Sequence, residues 1–62
     1  MEMAIRINLD KMPVKMGPGK EYPTNGEVHK GDSFKITEER NGFGHLKSNA
    51  GWIEMKWCEK IR

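Results

Sequence analysis

Apolar and polar residues alternate along parts of the chain with a period of two. Ile5, Ile7 and Leu9 are separated by polar residues, which is typical of a β-strand with one buried face. The segment Ser33–Glu39 alternates in the same way, with its two apolar residues predicted to point to one side. Both patterns predict strands of a sheet that buries one face.

Turn-forming sequences interrupt the chain at short and fairly regular intervals: Gly17–Gly19, Gly31–Asp32, Asn41–Gly42 and Asn49–Gly51. The segments between them are too short for helices of ordinary length. Asn41–Gly42 is the strongest hairpin signal, because both residues tolerate a positive φ. The chain is therefore predicted to be all-β, as a small barrel or sandwich.

The turns divide the remaining residues into further predicted strands: Met12–Met16, Glu27–His29, Phe43–Lys47, Trp52–Glu54 and Cys58–Ile61. Met55–Trp57 is predicted to form one tight helical turn before the last strand. Pro13 has no backbone N–H, so the strand that contains it is expected at a sheet edge or with this position facing solvent.

The segment Gly17–Gly26 is predicted to be a loop that is long for so small a domain. Three glycines and two prolines lie within it. Long ordered loops are often functional. We therefore expect this loop to carry the binding site.

The chain has 62 residues, which predicts one domain over residues 1–62. Such a domain buries only about 60% of the surface that its unfolded chain exposes. Because 35% of the residues are apolar, both tryptophans, both phenylalanines and the isoleucines are expected to be substantially buried. The single cysteine, Cys58, excludes an internal disulfide and is predicted to be a small buried apolar residue.

The charges are mixed along the sequence and give a net charge of +2. A protein that neutralises many phosphates usually carries a basic stripe, so nucleic acid is an unfavoured partner. No apolar stretch approaches the roughly 20 residues that span a membrane. The first six residues also lack the features of a signal peptide, so action outside a cell would require a longer chain or lysis.

Five short motifs occur in a characteristic order and spacing: Val14–Gly19, Tyr22–Pro23, Lys30–Asp32, Asn41–Gly44 and Gly51–Ile53. Together they resemble the bacterial SH3 family over residues 12–61. Pro13, Lys15 and Phe43 stand where that family more often has Asn, Arg and Trp. The resemblance implies a small SH3-like barrel of about five to seven short antiparallel strands.

The resemblance also implies a function. Bacterial SH3 domains are usually non-catalytic modules of peptidoglycan hydrolases, including bacteriophage endolysins, autolysins and amidases such as N-acetylmuramoyl-L-alanine amidases. They attach the catalytic domain to the cell wall, commonly of Gram-positive bacteria, through peptidoglycan peptide or glycan. The expected partners are peptidoglycan and a linked catalytic domain, and the expected place of action is the bacterial cell wall. An adaptor barrel that binds a protein or peptide is the alternative, and a nucleic-acid-binding barrel is less favoured.

The candidate ligand-binding residues lie in or beside the long loop, apart from Trp57 near the end of the chain: Lys15, Gly17, Gly19, Lys20, Glu21, Tyr22, Pro23 and Trp57. Tyr22 is the first candidate, because its ring can stack on a peptide or sugar while its hydroxyl forms hydrogen bonds. It is equally compatible with a ring that only covers the barrel end. Trp52 is predicted to lie in the core, and Trp57 either in the core or facing the ligand.

Residues suited to catalysis are few. His29, Asp32 and Ser33 lie close in sequence, but Asp and Ser after Gly31 are also common turn residues. Two separated histidines and one distant cysteine do not form a zinc site. We therefore predict a binding domain rather than an enzyme, with no cofactor or metal.

Overall fold

The alternating segments form a seven-stranded antiparallel sheet in the computed structural model, which describes residues 2–61. The strands are β1 (Met3–Ile7), β2 (Lys11–Lys15), β3 (Thr24–His29), β4 (Ser33–Arg40), β5 (Phe43–Leu46), β6 (Trp52–Glu54) and β7 (Cys58–Lys60). One turn of 3-10 helix, Met55–Trp57, separates β6 from β7. The predicted all-β class, strand number and helical turn are confirmed.

The strands follow the spatial order β3-β2-β6-β5-β4-β1-β7. The sheet curls around one apolar core, as expected of a small barrel-like domain. The core residues come from six strands: Ile5, Ile7, Met12, Val14, Val28, Ile36, Leu46 and Ile53. Leu9, Phe34 and Cys58 are partly buried against this core.

The β4–β5 hairpin has the predicted turn. Asn41 and Gly42 have φ values of 52° and 78°, and the flanking residues Arg40 and Phe43 are paired. A two-residue loop with both φ values positive matches the twist of the adjoining strands. This turn therefore sets the β4–β5 register at its closed end.

The two tryptophans are less buried than predicted. Ile53 is fully buried, and Trp52 beside it points to the opposite face of β6, because successive side chains in a strand alternate. Trp52 is half-buried on the outer face and stacks on His45 of β5, with 4.6 Å between ring centroids. Trp57 is 41% exposed. The prediction that Trp52 belongs to the core is wrong.

The predicted loop Gly17–Gly26 is shorter than expected. Strand β3 begins at Thr24, which pairs with Lys15 after a register shift in the β2–β3 ladder. The Lys15 Nζ atom also donates a hydrogen bond to Thr24 Oγ1, at 2.9 Å. Gly26 remains within the strand with a φ of 91°, as is common at an irregular ladder position.

Strand β2 lies inside the sheet between β3 and β6, so of the two alternatives expected for Pro13 the edge position is wrong, whereas the residue is exposed to solvent as the other alternative required. Its pairing with β6 is limited to Lys15 and Trp52. Pro13 pairs with Glu27 of β3 and lies outside the β6 ladder. The missing N–H of Pro13 is thus tolerated where β2 and β6 separate, and we call this separation the seam.

Candidate binding groove

A cavity of about 250 Å³ lies at the seam. Its lining residues are Met12, Pro13, Lys15, Lys20, Phe43 and Glu54. The exposed Pro13 ring and the small exposed part of Phe43 supply apolar surface, while both lysines and the carboxylate supply charge. Met12 lies beneath them and is almost completely buried. We call this cavity the seam groove. Apolar walls with a few polar groups are typical of ligand sites.

A second cavity, of about 420 Å³, adjoins the seam groove on the hairpin side. Its lining residues are Glu39, Asn41, Gly42, Phe43, Glu54, Met55 and Lys56. We call it the hairpin cleft. Phe43 and Glu54 line both cavities and are cross-strand partners in the β5–β6 ladder. The two cavities are therefore neighbouring parts of one surface.

Glu54 is the charged group at the boundary of the two cavities. Its Oε2 atom lies 3.9 Å from Lys20 Nζ and 3.5 Å from Lys56 Nζ. The Glu54 side chain is 23% exposed, whereas both lysine side chains are largely exposed. Solvent-exposed ion pairs contribute little free energy, so a charged ligand can compete for either lysine.

The loop formed by residues 16–23 is fixed above this surface. Asn41 Nδ2 donates a hydrogen bond to the Pro18 carbonyl at 3.1 Å, which joins the loop to the β4–β5 hairpin. The Met16 N–H donates to the Pro23 carbonyl at 3.0 Å and closes the base of the loop. These contacts hold Lys20 beside the seam groove, where it faces Glu54.

The candidate residues Gly17 and Gly19 are covered by other residues of the loop. Both are buried. A Cβ atom on Gly17 would lie 2.5 Å from the Tyr22 ring, and one on Gly19 would lie 2.6 Å from a Glu21 carboxylate oxygen. The absent side chains thus make room for residues of the loop itself.

Tyr22 covers Gly17 while its side chain stays partly accessible, at 39% exposure. Of the two roles considered for Tyr22, the geometry supports the one in which its ring covers part of the protein. The role of Tyr22 in ligand binding stays a prediction. Glu21 packs over Gly19, and Pro23 is exposed at the loop base. Of the eight predicted site residues, Lys15 and Lys20 line the seam groove.

Trp57 lies apart from the other candidates and lines neither the seam groove nor the hairpin cleft. Its carbonyl accepts a hydrogen bond from the Asn8 N–H at 2.8 Å, and Lys56 Nζ lies 5.4 Å from its ring centroid. The structure therefore does not bring Trp57 together with Lys15 and Lys20.

Four groove residues were not predicted from the sequence: Met12, Pro13, Phe43 and Glu54. A usable signal was the proline within a strand, because it marks a place where pairing is interrupted on one side. Phe43 and Glu54 become neighbours only through the β5–β6 register. That register depends on the whole sheet.

The residues weighed for catalysis form a turn, as predicted. The Asp32 carboxylate accepts a hydrogen bond from the His29 N–H at 2.9 Å, and Gly31 has a φ of 95°. The His29 ring contacts Glu27 at 2.9 Å and not Ser33. Short polar side chains commonly bond nearby backbone in this way.

Cys58 is partly buried against the core, and its Sγ atom lies 3.5 Å from the Glu54 carbonyl. Burial raises the pKa of the Cys58 thiol to about 11. A thiol is nucleophilic as its thiolate, so this environment is typical of a structural cysteine.

Two further observations concern residues 2–61. Across this part of the chain, no group of three or more His, Cys, Asp or Glu side chains is placed to hold a metal ion. The same residues contain no helix with the length and apolar character needed to cross a membrane.

Comparisons with known proteins leave the family assignment as an interpretation of the residues. A scan against protein-family models gives no match, and searches of curated proteins and of solved structures give no significant match. The fold and the groove geometry are therefore the observations on which a function can be argued.

Proposed function

We propose that the chain is a non-catalytic module that binds bacterial cell-wall peptidoglycan and directs a linked peptidoglycan hydrolase to it. The observation that carries the proposal is the seam groove, in which Lys15 and Lys20 stand beside the apolar surface of Pro13 and Phe43. Such a groove suits a peptide, whose carboxylates pair with lysine and whose alkyl groups contact the apolar surface. The resemblance of the sequence to bacterial SH3 domains supports the same function.

The combined volume of the two cavities is large enough for a short peptide segment. Ligand sites commonly have volumes of about 300–1,000 Å³. The seam groove of about 250 Å³ and the adjoining cleft of about 420 Å³ together fall in this range. The site is open and charged, so moderate affinity for a single segment is expected.

Moderate affinity is sufficient for this function, because wall polymers repeat. When a linked enzyme is held near its substrate, the second encounter becomes intramolecular and takes place at a high effective concentration. The module then increases hydrolysis without contributing a catalytic group. The proposal places the linked hydrolase, rather than this chain, in contact with the scissile bond.

Sedimentation with purified cell walls tests this proposal. The unaltered domain is expected to sediment with walls of at least one Gram-positive species. The double variant Lys15→Ala/Lys20→Ala is expected to sediment several-fold less, because both groove cations are removed. The matched control is Lys30→Ala/Lys60→Ala, which removes the same charge from exposed positions outside both cavities.

Three outcomes would contradict the proposal. The unaltered domain would stay in solution with walls from several species, or the groove variant and the control would bind walls equally. Alternatively, strong retention on single-stranded nucleic acid at physiological salt, without wall binding, would favour the nucleic-acid function.

A further inference from the structure

The lining of the seam groove and the lining of the hairpin cleft differ in the sign of their net charge. We infer that together they bind one extended peptide in a fixed direction, with its carboxyl end at Lys15 and Lys20 and its amino end at Glu39. This inference rests on the proposed function in taking a peptide as the ligand. The inference adds the direction in which that peptide binds and the charged residues that contact its two ends.

The two cavities can hold one ligand because they share a boundary. Phe43 and Glu54 are opposite each other in the β5–β6 ladder and line both cavities. Apolar residues line both cavities, with Pro13 in the seam groove, Phe43 at the boundary and Met55 in the hairpin cleft. An extended chain rises about 3.3 Å per residue, so a segment of a few residues can pass over the boundary.

The charges differ between the two ends. The seam groove contains two lysines and one glutamate, whereas the hairpin cleft contains two glutamates and one lysine. Glu54 lies in both and contacts Lys20 on one side and Lys56 on the other. Among the ion pairs of residues 2–61, none involves Lys15 or Glu39. The Lys15 ammonium donates one hydrogen bond to Thr24 Oγ1 and keeps two further N–H donors, so both Lys15 and Glu39 can contact a ligand.

This arrangement favours one direction of binding. A peptide carboxylate at the seam end forms an ion pair with Lys15. It can also replace Glu54 as the partner of Lys20, because the Lys20–Glu54 contact is long. A peptide ammonium at the cleft end meets Glu39. The reversed peptide would place like charges together at both ends, which is unfavourable.

Tri-alanine is the probe, because its side chains are small and uncharged. Binding is followed by two-dimensional NMR of the whole domain with three peptides: free at both ends, amidated at the carboxyl end, and acetylated at the amino end. Each blocked peptide is expected to bind about two- to fivefold more weakly, as exposed charge contacts allow. Amidation should alter the shift changes at Lys15 and Lys20, and acetylation those at Glu39 and Asn41.

Two charge-removing variants assign the ends. In Lys15→Met, amidation of the peptide is expected to cause little further loss of affinity, while acetylation keeps its full effect. In Glu39→Gln, acetylation of the peptide is expected to cause little further loss of affinity, while amidation keeps its full effect. Lys30→Met and Glu59→Gln are the matched controls, since both remove an exposed charge outside the two cavities, and they should leave the three affinities unchanged.

The inference is overturned if tri-alanine causes no shift changes at millimolar concentration, if end-blocking has no effect, or if the two ends perturb the opposite residues. These results are separate from the wall experiment. Wall binding without an end preference would retain the proposed function and overturn the direction. A directional response to tri-alanine without wall binding would support the direction and overturn the wall function.

Discussion

Strand β1 pairs with β4 at four successive positions, whereas β6 pairs with β2 at one, between Lys15 and Trp52. The β1–β4 side contributes fully buried residues, including Ile5 and Ile36, to the core. On the other side the strands separate, and the seam groove opens between them. One sheet thus has a continuous region and an interrupted region.

The difference shows how a small domain can accommodate a binding site. A chain of this length buries little apolar surface. A groove is therefore best accommodated where the loss of interstrand hydrogen bonds has little effect on the free energy of unfolding. Pro13 provides such a place, because it lacks the N–H that a continuous ladder would use. Stability depends on the buried side chains of both regions, whereas the proposed binding depends on the exposed groups of the seam groove, so the two can be tested with different substitutions.

The largest effect is expected from Ile5→Ala in the continuous region. Removing a fully buried isoleucine side chain costs about 2–5 kcal/mol. Small domains have a free energy of unfolding of about 5 kcal/mol or little more, so this variant should be largely destabilised. Urea denaturation followed by tryptophan fluorescence measures the change. The exposed seam variant Pro13→Ala should lower the free energy of unfolding by less than about 1 kcal/mol, and similar losses in the two variants would contradict the distinction between the two regions.

A smaller loss is expected where β6 begins beside β2. Gly51 has a φ of 148°, and a Cβ atom there would lie 2.5 Å from the Lys15 carbonyl oxygen. Gly51→Ala should therefore lower the free energy of unfolding by about 2–4 kcal/mol, through backbone strain and overpacking. It should also shift the NMR signals of Lys15 and Trp52.

The matched control for this variant is Gly31→Ala. Gly31 also has a positive φ, 95°, but an added Cβ atom would meet no atom within 4 Å. Its loss should be about 1 kcal/mol, since only the conformational term remains. Equal losses in the two variants would show that the close approach of β2 and β6 at Gly51 is unimportant.

The loop variants test the packing of Tyr22 on Gly17. Gly17→Ala should cost about 1–2 kcal/mol, because the new Cβ atom would meet the Tyr22 ring. In a Tyr22→Ala background the same substitution should cost less than about 0.5 kcal/mol, since the ring is absent. Chemical denaturation of the four proteins gives the coupling energy. Additive effects would place Tyr22 away from Gly17 in solution.

A pH-dependent loss of stability is expected from Cys58 in the alkaline range. Burial raises the pKa of this thiol from 9.0 to about 11. The folded state therefore keeps its proton over a range in which the unfolded state loses it, and stability should fall as the pH rises from about 9 to about 11. Urea denaturation at several pH values should show this decline. It should be smaller in Cys58→Ala, and an equal decline in both proteins would assign the effect to other groups.

The positions of turns were predictable because they depend on local backbone preferences. The positive φ values at Asn41 and Gly42 and the approach of Gly51 to β2 agree with the turn residues seen in the sequence. Strand positions followed from the alternation of apolar residues for the same local reason. The all-β fold could therefore be predicted largely from the sequence.

The site was less predictable, because it depends on register and on the inward face of each strand. Trp52 and Ile53 are adjacent and both apolar, and the sequence does not state which of them points inward. The loop glycines suggested ligand contact, but the space above Gly17 is occupied by Tyr22. The seam groove requires the limited β2–β6 pairing, and Pro13 marks an interruption in β2 without indicating which strand lies beside it.

The pairing of β1 with β7 has a mechanical consequence. Ile5 is opposite Lys60, and the Ile61 N–H donates to the Ala4 carbonyl at 2.9 Å, so the outer ends of these antiparallel strands lie side by side. A force that separates residues 4 and 61 would break the interstrand hydrogen bonds one after another, as in opening a zipper. The domain should consequently yield to tension along the chain at a lower force than if these strands were loaded in shear.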